Sequence, residues 1–199
     1  MEDKSMEKAK SPELDKGLDA VVTGYNGRKY TLYELRNSAN NFKLDDPQEY
    51  REIIKEKYKK IYNCTEVKIP AEDLKEIYGL DESFVEEWET VPDWFFTKYN
   101  IAALQYEVSS LGRLRIGEKY LKQEAYKDGY LVISTDNPNC PEAKNHSVEI
   151  YKFIAAAFLG KLHHTDTYNI HHIDNNGYDC RPENLILLTP EEHSKVHGF

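Results

Sequence analysis

Basic charge, cysteine and long apolar runs are all scarce in this sequence of 199 residues. The 35 Asp and Glu outnumber the 26 Lys and Arg, and the formal net charge is −9. Such a chain is not expected to coat nucleic acid by bulk electrostatics, so any contact with DNA must come from a local patch or a metal ion. The three cysteines have no CxxC spacing and support neither a disulfide framework nor a four-cysteine zinc site.

The sequence also lacks the features of a membrane or secreted protein. No apolar run approaches the roughly 18 residues that cross a bilayer. The first residues, "MEDKSMEKAKSPELDKG", have no apolar centre of the kind found in a secretory signal. We therefore expect no membrane partner and a cytoplasmic location, in the host cell if the chain is encoded by a phage.

The N-terminal part is predicted to be a charged tail followed by an acidic, mainly helical module. Residues 1–18 are almost free of large apolar side chains and predict a mobile tail, whereas residues 19–93 form the module. Within it, "VVTGYNGRKYTLYEL" predicts a hairpin or a strand that runs into a helix. Three further helices are expected, from Pro47 to Tyr62, from Pro70 to Gly79 and from Asp81 through Trp88.

The last two of these helices have the outline of a helix-turn-helix, with the turn at Gly79. The second helix is acidic, however, and a recognition helix needs donors that face phosphates and base edges. A packing module or a surface that binds a protein partner is the favoured interpretation. The pattern ends near "ETVPDW", which places a domain boundary at about residues 90–93.

Residues 94–160 predict a platform of short strands and one apolar helix. "YEVSSLGRLRI" indicates a strand, a glycine turn and a second strand, and "DGYLVIST" indicates another strand. "SVEIYKFIAAAFLG" predicts a core helix that ends at Gly160. The expected fold class is therefore α+β, with a helical N-terminal module followed by a small-sheet domain.

Residues 168–199 hold four of the seven histidines and predict a strand, a polar loop, a second strand and a helix. Thr189, Pro190 and Glu192 form a capping-box pattern at the start of that helix. His193 and His197 are four residues apart, which places both on one helix face and close enough to share an ion. His171 and His172 point to opposite faces of a strand, so only one of them can join the same ion.

This division suits metal-assisted hydrolysis of a phosphodiester. An ion held by three side chains keeps positions open for a phosphate oxygen and the leaving 3′ oxygen. A neutral histidine, with an ordinary pKa near about 6.5, can take a proton from water. We therefore assign His171, His193 and His197 as metal ligands and His172 as the general base.

The histidine pattern, with Asn184 between its two halves, resembles the HNH or ββα-metal endonucleases. The all-histidine version is similar to nuclease-type colicins, and "YEVSSLGRLR", "DGYLVIS", "HHIDNN" and "RPENLILLT" are similar in order to phage and intron-encoded HNH homing endonucleases. The resemblance covers residues 94–199 and implies DNA as substrate and one divalent ion, Zn, Ni, Mg or Mn. It also implies that Asn184 either braces the loop that orients His172 or helps to hold the metal.

Other side chains are candidates for contact with DNA. Arg113 and Arg115 alternate on a predicted strand, with Lys119 and Lys122 nearby, so all four could face the phosphate backbone or merely solvent. Arg181 could clamp the scissile phosphate or have an ordinary loop role. A second histidine pair, His163 and His164, lacks the following strand and helix ligands and is interpreted as a solvated turn.

Two alternatives to catalysis stay open. The histidines could form a structural zinc site, for which Cys180 is the only candidate as fourth ligand. The chain could also be an adaptor that binds DNA or protein and keeps the ββα shape without cleavage. The favoured function is a metal-dependent HNH endonuclease of phage or mobile-element type. A single site of this kind cuts one strand, so nicking is expected.

Overall fold

The computed structural model describes residues 17–41, 47–126, 128–135, 146–160 and 167–198. The predicted tail therefore lies outside the described residues except for Gly17 and Leu18, and so do His163 and His164. The helices are α1 (Leu32–Asn41), α2 (Pro47–Tyr62), α3 (Ala71–Tyr78), α4 (Asp93–Tyr99), α5 (Ile150–Phe158) and α6 (Pro190–His197). None of these described helices is long and apolar enough to span a bilayer.

The strands are short and pair only with antiparallel neighbours in the described part of the chain. They are β1 (Val21–Thr23), β2 (Lys29–Thr31), β3 (Trp88–Thr90), β4 (Tyr106–Ser109), β5 (Leu114–Ile116), β6 (Lys119–Leu121), β7 (Glu124–Ala125), β8 (Leu131–Thr135), β9 (His146–Glu149), β10 (Asn169–His172) and β11 (Leu185–Leu188). They form the sheets β1-β2, β3-β4-β5-β6, β7-β8-β9 and β10-β11. The predicted α+β class is confirmed.

Local sequence signals account for most element boundaries. The Asn-Gly turn joins β1 to β2, with Gly27 at φ 77°, and the predicted run into α1 follows. The helix expected to end at Gly79 does so, because Gly79 adopts φ 69°, its N–H bonds to the Lys75 carbonyl and the Leu80 N–H bonds to the Leu74 carbonyl. The glycine turn between β4 and β5 is formed by Gly112 at φ 80°.

The helix predicted from Asp81 through Trp88 is wrong, and with it the helix-turn-helix outline. The Asp81 carboxylate accepts hydrogen bonds from the backbone and hydroxyl of Ser83, which favours a turn. The Glu86 carboxylate accepts a hydrogen bond from the Arg113 guanidinium, and Trp88 lies in β3, where it pairs with Ser109 of β4. Tertiary contacts therefore override the apolar spacing on which the helix was predicted.

The strands and turns expected from Trp94 onward begin only at β4, because α4 comes first. This short helix follows Pro92 and ends at Asn100, which adopts a left-handed φ of 51°. Phe95 and Phe96 bury its inner face. The helix was missed because the proline before it was interpreted as a break, although proline is also common just before a helix.

The main core lies around α5. Ile150, Phe153 and Ile154 of this helix have 0% exposure and belong to a core cluster that extends from Tyr58 of α2 to Leu185 of β11. Because β3 pairs with β4 and the core includes Tyr58 and Ile77, the packing crosses the predicted boundary at residues 90–93. The division of the chain into two domains stays a prediction.

A second core joins the two ends of the described chain. It contains buried apolar side chains from the N-terminal hairpin and α1 together with those of β11 and α6: Leu18, Tyr30, Leu32, Leu35, Ile186, Leu188 and Val196. Helix α1 packs directly against α6. The N-terminal segment therefore supports the helix that carries two of the predicted metal ligands.

Candidate active site

Strand β10 presents its two adjacent histidines to opposite sides. It pairs with β11 so that His171 lies opposite Ile186 and His172 opposite Leu185. Since successive side chains of a strand alternate, the two imidazoles enter different surroundings. His171 faces α6, and His172 faces two tyrosines.

Helix α6 starts at a well-defined point. The hydroxyl of Thr189 accepts a hydrogen bond from the backbone N–H of Glu192 at 3.2 Å, and the Glu192 carboxylate accepts from the Thr189 N–H at 2.8 Å. The predicted capping box is confirmed. Val196 packs inward with 1% exposure, which turns His193 and His197 together towards β10.

Three imidazoles converge between β10 and α6. The ring centroids of His171 and His193 are 5.7 Å apart, those of His171 and His197 are 5.1 Å apart, and those of His193 and His197 are 4.5 Å apart. One ligand atom from each of the three lies within 4.8 Å of the others. In the described part of the chain, this is the group of histidine, cysteine or carboxylate side chains that could hold a metal ion.

The protonation of these rings suits a metal site. Burial, together with the charges of the neighbouring His197 and His193, lowers the pKa of His171 to about 3. Burial also lowers the pKa of His193. A metal binds only the neutral imidazole, so these surroundings keep His171 and His193 in the binding form at neutral pH. The buried Nε2 of His171 has no hydrogen-bond partner among the described residues, and a divalent ion fits this donor set.

His172 lies against two aromatic rings. Its ring centroid is 5.7 Å from that of Tyr130 and 5.2 Å from that of Tyr151. Its Nε2 is buried and has no partner among the described residues. Burial lowers its pKa to about 4, and the charge of Asp179 acts in the opposite direction. The ordinary pKa expected from the sequence therefore does not hold, although the ring is neutral and can accept a proton.

A cavity of about 190 Å³ connects the two histidine environments. All four histidines line it, together with the turn between β7 and β8 and one edge of α2. The turn lies close to the loop after β10, since a Cβ on Gly177 would come within 2.3 Å of the Gly129 carbonyl oxygen. Only glycine at position 177 allows this approach.

The loop after β10 is held by short polar side chains. Asn184 accepts a hydrogen bond from the Asp174 N–H at 3.1 Å, and its amide donates to the Asp174 carboxylate at 2.8 Å and to the Asp179 carbonyl at 2.9 Å. Burial raises the pKa of Asp174 to about 6, and the nearby Asp179 adds to this increase. Asn184 thus holds the loop through both its side-chain oxygen and its side-chain nitrogen.

Two other residues of the loop have internal partners. Arg181 donates to both carboxylate oxygens of Asp179, at 2.9 and 2.7 Å, and to Glu183 at 3.0 Å. Its guanidinium carbon lies 4.0 Å from the centroid of the Tyr78 ring. Cys180 is 1% exposed within the main core and its thiol donates to the Gly177 carbonyl, so it does not join the three histidines as a fourth ligand.

The basic residues predicted to face DNA are placed differently from one another. Arg113 is 1% exposed, and its guanidinium bonds to Glu86 and to the carbonyls of Cys64, Glu66 and Val67. This internal role corrects the expectation that Arg113 contacts phosphate. Arg115 shares its side of the sheet, because both guanidinium groups lie over Trp88, but Arg115 is paired with Glu107. Lys119 and Lys122 are exposed.

Sequence reasoning missed several residues around the cavity. Arg51, Asp128, Tyr130 and Gly177 line it, and Tyr151 contacts His172 from α5. Their positions depend on how separate elements pack, so no local spacing indicated them. The Asp-Gly pair at residues 128 and 129 is typical of a turn. It does not indicate that this turn lies beside the histidines.

A strand pair and a helix that bring three imidazoles close enough to share one ion, with a fourth beside them, have the arrangement of a ββα-metal motif. Residues 153–195 match the family described as HNH endonuclease. No curated protein sequence matches the chain.

One solved structure is similar, that of "DNA binding and cleavage by the HNH homing endonuclease I-HmuI". It aligns with a TM-score of 0.39 and 20% sequence identity over 56% of this chain. The chain matches 59% of the length of that protein.

Proposed function

We propose that this chain is a metal-dependent endonuclease that hydrolyses phosphodiester bonds of DNA. The observation that carries the proposal is the convergence of His171, His193 and His197 within 4.8 Å, with His172 on the opposite side of the same strand and in the same cavity. The three converging rings would hold one divalent ion, Zn, Ni, Mg or Mn. The match to the HNH endonuclease family supports this reading.

The roles of the side chains follow from their surroundings. When bound, the ion would neutralise charge on the scissile phosphate and on the leaving 3′ oxygen. His172 accepts a proton at its Nε2 from the attacking water, whose oxygen forms the new bond to phosphorus. The bond from phosphorus to the 3′ oxygen breaks, and the leaving 3′ oxygen takes a proton from solvent. Asn184 holds Asp174 and Asp179, and so fixes the loop that follows His172. Arg181 acts through the same loop, because Asp179 and Glu183 already bind its guanidinium.

Finer features extend this proposal. A single site acts on one strand, so the product is a nick, and a double-strand break requires two copies or two visits. Phage or mobile-element origin and a cytoplasmic location fit the upstream sequence resemblance. Residues 94–199 would form the nuclease domain and residues 19–93 an acidic module, through which a protein partner could bind. Lys119, Lys122 and Arg115 would contact the DNA backbone near that domain.

A plasmid nicking assay with Mg, Mn, Ni and Zn ions tests the function. The intact chain should convert supercoiled plasmid to the nicked form with at least one of these ions and not with a chelator. His172→Ala should abolish cleavage while zinc binding and DNA binding persist, because His172 is not one of the converging ligands. His146→Ala is the matched control, since the Nε2 of His146 bonds to the Tyr99 carbonyl and the residue does not line the cavity.

A non-catalytic adaptor with a structural metal would give a different result. It would bind zinc and DNA but leave plasmid intact with every ion, and His172→Ala would change neither binding. That pattern would overturn the endonuclease proposal. Cleavage that survives in His172→Ala would overturn the assignment of the general base alone.

A further inference from the structure

Helix α2 brings a positive charge to the edge of the histidine cavity. Arg51 lines the cavity with His171, His172, His193 and His197, although it lies more than 100 residues earlier in the chain. Its side chain is exposed, and its Nε lies 3.9 Å from where a Cβ on Gly129 would be. The N-terminal half of the chain therefore contributes directly to the wall of the candidate active site.

Arg51 has no acidic partner among the described residues, unlike Lys55, Lys59 and Lys60 of the same helix. Lys55 pairs with Glu52 and Lys59 pairs with Glu56, both within the helix. Lys60 pairs with carboxylates of α3. No ion pair or hydrogen bond of the Arg51 guanidinium is found among the described residues, so its donors are free to bind an anion.

The surroundings of Arg51 contain few other charges. Among the described residues that line the cavity, Asp128 is the carboxylate and Arg51 is the one lysine or arginine. No ion pair joins Asp128 to Arg51. Burial raises the pKa of Tyr130 and Tyr178, and the charge of Arg51 opposes this rise at both hydroxyls. The charge of Arg51 therefore acts on two tyrosines that line the cavity, where an anionic substrate would enter.

We infer that Arg51 binds a backbone phosphate of the DNA strand that enters the histidine cavity. The inference rests on the proposed endonuclease function, since DNA supplies the phosphodiester. A guanidinium offers a planar fork of donors that matches two phosphate oxygens, whereas most other surface charges of this acidic chain would repel the backbone. Helix α2 thereby becomes a part of the substrate-binding surface.

The test measures DNA binding as a function of salt concentration. Two duplexes of unrelated sequence are titrated with the intact chain, Arg51→Ala, Arg51→Lys and Lys59→Ala, in chelator so that no cleavage accompanies binding. Lys59→Ala is the matched control, because Lys59 lies on the same helix, is exposed, pairs with Glu56 and does not line the cavity. Urea unfolding and zinc binding confirm that each variant is folded.

The slope of log Kobs against the logarithm of the salt concentration is negative, and the loss of one phosphate contact should reduce its magnitude by about 0.9. Arg51→Ala should show this loss on both duplexes and cleave more slowly with metal. Arg51→Lys should keep the slope, since its charge remains, and Lys59→Ala should match the intact chain. Equal slopes for Arg51→Ala and the intact chain, or equal losses in Arg51→Ala and Lys59→Ala, would overturn the inference.

These results separate the inference from the proposed function. An intact chain that neither binds nor cleaves DNA contradicts both. An intact chain that cleaves DNA, with Arg51→Ala unchanged in slope and rate, contradicts the role of Arg51 alone.

Discussion

At the scale of single residues, Arg113 is the clearest case of a basic side chain with a structural role. Its guanidinium links the segment after α2 to the four-stranded sheet through Glu86 and three backbone carbonyls. The side chain is 2% exposed and that of Glu86 is 12% exposed. Nearly all of its donors are therefore satisfied within the protein, and the pair holds residues 81–87 away from a helical path.

Removal of Arg113 should destabilise the fold. Arg113→Ala leaves a largely buried carboxylate and three carbonyls without their partner, and breaking such a pair costs about 3–5 kcal/mol. Urea unfolding of the metal-free protein measures the loss. Arg115→Ala is the control, since the Arg115–Glu107 pair is partly exposed and should cost about 1 kcal/mol or less. Similar losses in the two variants would contradict the structural role of Arg113.

His172 shows a second effect of burial at this scale. Its two aromatic neighbours exclude water, and the resulting fall in pKa makes the neutral ring a weaker base than a free imidazole. Asp179 opposes that fall, and Asp179 is itself fixed by Arg181 and by Asn184 through its carbonyl. The loop after β10 therefore contributes to the basicity of His172 as well as to its position.

At the scale of elements, α6 has to hold two of the proposed ligands at a fixed angle to β10. The helix has only eight residues, and short helices are marginal in isolation. Its capping box, its left-handed end at Gly198 and the burial of Val196 are what fix its position. Metal affinity should consequently depend on the cap as well as on the histidines.

Loss of the α6 cap should weaken metal binding. Thr189→Ala removes the hydroxyl that accepts from Glu192, which costs about 1 kcal/mol of stability. Calorimetric zinc titration should show a lower affinity, because His193 and His197 are no longer held in register with His171. Asp81→Ala is the control, since the Asp81 carboxylate likewise accepts a hydrogen bond from a nearby backbone N–H, that of Ser83, in a turn outside the strands and helix that carry the histidines.

The two variants should lose similar stability but differ in zinc affinity. An unchanged affinity in Thr189→Ala, or an equal fall in Asp81→Ala, would show that the cap does not position the predicted ligands.

At the scale of the whole molecule, the N-terminal segment packs on the C-terminal motif. Leu35 of α1 is 1% exposed, and it shares a core with Ile186 of β11 and Val196 of α6. Helix α2 adds Arg51 to the cavity wall. Residues 17–93 thus contact the motif at two places, although the family match covers only residues 153–195.

A shorter side chain in the second core should therefore weaken zinc binding at the candidate metal site. Leu35→Ala should cost about 2–5 kcal/mol in urea unfolding and lower the zinc affinity, because the cavity it leaves loosens the contact of α1 with α6. Tyr33→Ala on the same helix is the control, since Tyr33 is 54% exposed and should change little. A fragment of residues 94–199 should lose more stability and more zinc affinity than the Leu35→Ala variant. It lacks the N-terminal residues that cover Leu188 and Val196.

A fragment that binds zinc as tightly as the intact chain would contradict this coupling. The same result would support the proposed division of the chain at residue 93.

The local features of this protein could be predicted from its sequence. The capping box of α6, the Gly79 end of α3 and the hairpin before α1 depend on residues within a few positions of one another. The same is true of the i and i+4 placement of His193 and His197 and of the alternation of His171 and His172. These are consequences of helix and strand geometry, which acts over short distances along the chain.

Only the tertiary structure decided the features that depend on distant partners. Glu86 and Arg113 are 27 residues apart. Their ion pair and the pairing of β3 with β4 favour the observed turn and strand over the helix predicted from Asp81 through Trp88. Burial lowers the pKa of His172, and Tyr130 and Tyr151 pack against its ring, while Arg51 contributes to the wall of the cavity. Burial and charge act through space, so a sequence read in order predicts the candidate ligands of the site but not the environment that sets their chemistry.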